Sequence, residues 1–131
     1  GNGRSDITVL PSKGGAQDQS AVLELKTLRD VRTPIKKPQA NPTKITLQEN
    51  IDWACKGVQQ TAAYRDHEQF DGAFLCLYDF CAGNSSKVEE AVKPHATKYG
   101  VIARRYWITA SHEEYRKYFY PLPKPNGDGQ S

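Results

Sequence analysis

Six side chains in this 131-residue chain have the chemistry of metal ligands or nucleophiles: Cys55, Cys76, Cys81, His67, His95 and His112. No His lies three or four residues from another His or from a Cys. A helical turn would therefore not bring two donors together, as the local pairs of zinc sites require. Cys76 and Cys81 are five apart, and no CxxC, GxSxG, phosphate-binding Gly-Lys loop or HExxH occurs. The acidic pairs Glu89–Glu90 and Glu113–Glu114 fall in charged segments, where solvation is the ordinary role. These patterns predict no enzyme, no metal and no cofactor. The cysteines sit among Phe and Leu, where a thiol acts as a small hydrophobe.

Cations and aromatics form a stronger constellation. Residues 100–123 hold Arg104, Arg105, His112, Arg116 and Lys117, and six of the chain's thirteen aromatics. Arginines pin phosphates, and Tyr99, Tyr106 or Trp107 would stack on bases of a single strand. The competing assignment makes these aromatics core, with Arg104 and Arg105 reaching outward to water. The net charge of +3 is unevenly spread. Residues 1–45 carry eight Lys/Arg against four Asp/Glu, and the rest of the chain carries ten against eleven. A basic arm beside a near-neutral body suits an anionic partner. The residues expected to contact phosphate are Lys36, Lys37, Arg104 and Arg105, with Arg65 and Lys98 as lesser candidates.

The elements that would position these groups read as helical. Four capping-box patterns start at Thr46, Asp66, Ser86 and Ser111, each with Glu or Gln three residues on. Leu47, Ile51, Ala54 and Val58 recur at helical spacing, predicting a helix over 47–63 with an Asp52–Lys56 pair. Phe70, Ala73, Phe74, Leu77 and Cys81 predict a second helix ending at Gly83. A third follows from about residue 87 and meets Pro94. "VIARRYWIT" fits helix or strand, and Ser111 opens a last helix with a Glu113–Lys117 pair. The expected fold is thus all-α, a small bundle of about four helices over 46–120. Residues 1–45, without an aromatic and with four of the eight prolines, read as a basic N-terminal arm. Within it "AVLELKTL" is one short element, an edge strand or helical turn. Residues 121–131 read as a Pro-rich polar tail. No 18-residue apolar run is present.

Two resemblances bear on function. Residues 98–107, "KYGVIARRYW", resemble the Lys/Arg-Tyr-Gly/Ala segment in the coat proteins of flexuous filamentous plant viruses. Those proteins build helical capsids on RNA; no functional residue is carried over from the match. With an initiator Met before it, Gly1 together with Ser5 matches the N-myristoylation pattern. With the basic arm, that start resembles in outline the matrix proteins of retroviruses. The leading expectation is a non-enzymatic, self-assembling coat or nucleocapsid protein that packages single-stranded nucleic acid, RNA by preference. Its copies would join through the arms. The alternatives are a membrane-surface matrix-like protein lipidated at Gly1, and a small adaptor or effector domain. Three cysteines and no CxxC predict a reduced, intracellular setting, host cytoplasm or virion.

Overall fold

The computed structural model describes residues 7–9, 20–32 and 41–124. Its architecture is mixed α/β, which overturns the all-α expectation. Nine elements follow one another: β1 (Ile7–Val9), β2 (Ala21–Leu28), β3 (Val31–Arg32), β4 (Thr43–Lys44), α1 (Leu47–Glu68), β5 (Gly72–Asp79), α2 (Lys87–Lys98), β6 (Ile102–Trp107) and α3 (His112–Phe119). Four strands form one sheet in the order β1-β2-β5-β6. β2, β5 and β6 run parallel, and β1 pairs antiparallel with β2. β3 and β4 make a separate two-stranded ribbon.

One expected helix, over 70–83, is corrected to a strand, and the segment left open between helix and strand is a strand. "GAFLCLYD" buries Ala73, Leu75, Leu77 and Asp79 under the helices and turns Phe74, Cys76 and Tyr78 to the other face. It is the central parallel strand, and such strands are apolar on both faces. The Asp66–Gln69 capping pattern lies at the end of α1 rather than the start of a new helix. Gln69 closes α1 in the left-handed region, φ 58°, and its N–H donates to the Arg65 carbonyl. "IARRYW" is β6, an alternating strand at the sheet edge. β2 lies inside the sheet between β1 and β5, so residues 21–28 belong to the folded body rather than to an arm.

The other helix starts were legible. Thr46 caps α1 with both halves of the box: its Oγ1 accepts from the Glu49 N–H at 3.1 Å, and Glu49 Oε1 accepts from the Thr46 N–H at 3.1 Å. Ser111 caps α3 through the Glu114 N–H at 3.1 Å, and Glu113 pairs with Lys117 at 3.2 Å. Ser86 precedes α2, but its hydroxyl binds the Glu90 carboxylate instead of capping the backbone. The expected Asp52–Lys56 pair is replaced: Asp52 accepts from the Gln48 amide at 2.8 Å.

Each parallel strand reaches the next through a helix, β2-α1-β5 and β5-α2-β6. Crossovers of one hand, stepping the same way across the sheet, place both helices on one face. α1 packs on β2 and β5, and α2 packs on β6 and α1. The core is the layer between them: Val22, Leu28, Ala54, Val58, Ala62, Ala73, Leu75, Leu77, Val88, Val92, Ala96 and Val101. α1 approaches closely at Gly57, where a Cβ would lie 3.0 Å from Leu75 Cδ1 and 3.1 Å from Lys26 Cγ. No described helix is long and apolar enough to cross a membrane.

Candidate nucleic-acid interface

Because both helices cover one face of the sheet, the opposite face carries no helix of the β-α-β units. Strand alternation brings nine side chains to it in three cross-strand rows. Leu23, Phe74 and Ile102 form the first, Leu25, Cys76 and Arg104 the second, and Thr27, Tyr78 and Tyr106 the third. Rows repeat at about 6.6 Å along the strands, two residues of rise. None of the nine is acidic. Ile102 is 44% exposed and Tyr106 49%, and Phe74 and Tyr78 are half-buried. The Tyr78 and Tyr106 rings lie 5.8 Å apart and are tilted by 32°. Arg104 is exposed, and its guanidinium reaches only the neighbouring Ala103 carbonyl, at 3.2 Å. The face therefore presents flat rings beside one cation without an acid partner among the described residues.

Arg105, one residue on, faces the other way. Its Nε donates to Asp79 Oδ2 at 2.7 Å and its Nη2 to Asn84 Oδ1 at 2.7 Å. Both charged side chains are over nine-tenths buried. The other Asp79 oxygen accepts from the Cys81 N–H at 2.9 Å, and Glu89 accepts from the Arg105 N–H at 3.3 Å. Arg105 is thus a brace at the carboxyl end of the sheet, and its guanidinium is withdrawn from any phosphate. The strand period that exposes Arg104 is what buries Arg105.

The remaining candidates scatter. Arg65 donates to the carbonyls of Tyr99 and Gly100, at 2.9 and 3.0 Å, and pairs with Asp66 at 2.9 Å. It closes the C-terminus of α2, where orphan carbonyls need donors. Lys98 stands over the Tyr99 ring at 5.4 Å, and Tyr99 packs edge-on against His95. That group sits where α2 leads into β6, away from the middle of the open face. Trp107 is also turned from it: its indole N–H donates to the Cys81 carbonyl at 3.0 Å, and its ring meets Tyr118 and Phe119. Lys36, Lys37 and Gly1 lie outside the described residues.

The three thiols are half-buried. Burial pushes Cys55, Cys76 and Cys81 above the ordinary thiol range, furthest for Cys81, where Asp79 and Asp30 add to the effect. All three are free. Among the described residues no group of three or more His, Cys, Asp or Glu converges as a metal site would need.

Sequence reasoning reached Arg104 and Tyr106 but missed Phe74, Tyr78 and the β2 side chains that complete the face. Their signal was present as period-two alternation in "AVLELKTL" and "GAFLCLYD". No protein-family model, curated protein or solved structure matches this chain.

Proposed function

We propose that this protein is a non-enzymatic binder of single-stranded nucleic acid, with RNA as the favoured ligand. The strand lies across the open face of β2, β5 and β6. Tyr78, Tyr106 and Phe74 offer rings on which bases stack, and Arg104 meets a phosphate. The observation that carries this reading is the placement of three aromatics and one arginine without a described acid partner in adjacent rows of a sheet face whose nine described side chains include no acid. Sheet-borne aromatics are an established way to hold unpaired bases, and stacking on them tolerates any sequence.

Packaging by self-assembly is the second component of the proposal. It is supported by the C-terminal segment. α3 buries no residue, and Tyr118, Tyr120 and Leu122 are 54, 70 and 88% exposed. Together with Tyr115 and Phe119 they make an aromatic surface of the sort that subunit contacts use.

The test is fluorescence anisotropy of a labelled oligouridine across a salt series. Tyr106→Ala is expected to weaken binding by ~1–3 kcal/mol. Arg104→Glu is expected to flatten the salt dependence by about 0.7 in log–log slope for each phosphate that is no longer neutralised. Affinity unchanged in both variants, or absent in the parent, would sink the proposal.

A further inference from the structure

A recess separate from the open sheet face lies at the carboxyl end of β2, bounded by the β3–β4 ribbon and the first turns of α1. It is a cleft of about 750 Å³. Thr27, Arg29, Arg32, Asp52, Trp53 and Lys56 are among its lining. Among the described residues, Thr27 is the one it shares with the open sheet face. Clefts of this size outside the carboxyl ends of parallel strands are where α/β proteins hold small ligands.

The lining is chemically sorted. Trp53 is 43% exposed. One side of its ring is occupied: Lys26 Nζ stands 4.3 Å from the ring centroid and is itself buried with Glu24, 3.4 Å away. A ring already carrying a cation repels a second one, so the cleft disfavours quaternary ammonium or guanidinium ligands. An electron-rich neutral ring is the better partner for the same indole. Arg32 is held by Glu49 at 3.2 Å, and Glu49 is further occupied by the Thr46 N–H. Asp52 takes the Gln48 amide on one oxygen, and its other oxygen has no partner among the described residues. Arg29 and Lys56 remain: Arg29 stands over the Phe80 ring at 5.6 Å, and neither cation has an acid partner among the described residues. The cleft therefore pairs a flat apolar platform with two cations free to take an anion.

We infer that this cleft binds a nucleotide, its base on Trp53 and its phosphate on Arg29 and Lys56. A free nucleoside phosphate and the phosphorylated end of a strand share that chemistry. The rings and the arginine of the open sheet face take no part in this site, and a mononucleotide probe separates the two.

The experiment is calorimetric and fluorimetric titration of the full chain. The probes are adenosine monophosphate, adenosine, inorganic phosphate, and oligouridine with and without a 5′-phosphate. Either the mononucleotide or the 5′-phosphorylated strand should bind saturably and quench indole emission. Lys56→Glu and Trp53→Leu should each weaken that binding by about tenfold or more. Lys56 is exposed on α1, so its variant keeps the test intact if Trp53→Leu fails to fold. Mononucleotide binding identifies a free nucleotide as ligand, and dependence on the 5′-phosphate of the longer probe identifies a strand end. Three results would overturn the inference: no saturable binding of either probe, binding indifferent to both variants, or inorganic phosphate binding as tightly as the mononucleotide.

Discussion

Arg104 and Arg105 are adjacent, equally charged and of opposite consequence, and that contrast gives the sharpest stability prediction. Arg105 lies with Asp79 in a pocket where both side chains are over nine-tenths buried, 2.7 Å apart, with Asn84 and the Cys81 N–H completing the network. Removing one member leaves the other charge desolvated and alone, which costs ~3–5 kcal/mol. Arg105→Ala and Asp79→Ala should each lose that amount in chemical denaturation followed by circular dichroism. At about 4 °C per kcal/mol for a domain of this size, the midpoint falls by roughly 12–20 °C. Removing both charges together, Asp79→Leu with Arg105→Met, should recover much of the loss, because no lone charge is left behind. Arg104→Ala, on the open face, should stay within about 0.5 kcal/mol of the parent. If Arg105→Ala were as stable as Arg104→Ala, the strand register that separates them would be wrong, and the open face with it.

Two further outcomes follow from the same structure. The raised thiols give stability a defined alkaline limit. Unfolded Cys81 ionises near 9.0, whereas the folded thiol holds its proton to higher pH. The folded state then binds more protons above pH 9, so stability is intact below that value and declines as pH rises beyond it. Denaturant midpoints should be nearly equal at pH 7 and 8 and fall from pH 9 to 10, and a flat profile would count against the placement of Cys81 beside Asp79 and Asp30. Deleting residues 120–131 removes Tyr120 and Leu122, the most exposed of the large apolar side chains described. Light scattering should then show smaller particles with the fold retained; an unchanged particle size would remove the C-terminal segment from the assembly surface.

The sequence revealed helix termini better than it revealed what lay between them. Thr46 and Ser111 marked true starts because a capping box is local chemistry, complete within four residues. Asp66–Gln69 shows its limit: the same residue types also suit the exposed last turn of a helix. In sequence β5 reads as a helix, and β6 is open between helix and strand, for a geometric reason. A spacing of four returns a side chain to the same face in a strand and nearly so in a helix. Ala73 and Leu77, or Ile102 and Tyr106, are therefore consistent with both. The discriminating position is i+2, and Arg104 between Ile102 and Tyr106 interrupts the apolar pattern of a face to which it belongs. β5 was harder still, since a central parallel strand is apolar on both sides and its residues show no polar alternation. Half of the candidate site was legible as a result. Arg104 and Tyr106 lie in one short segment, whereas Tyr78 and Leu25 join them only through pairing of strands more than 25 residues apart.

The central claim is that a single strand lies on the sheet face opposite the helices. Photocrosslinking of 4-thiouridine-substituted RNA, with adducts mapped by mass spectrometry, reads that placement directly. Adducts are expected at Phe74, Tyr78 and Tyr106, and they should disappear when unlabelled single strand competes. Adducts confined to α2 or α3, or none above those on an unrelated protein, would contradict it.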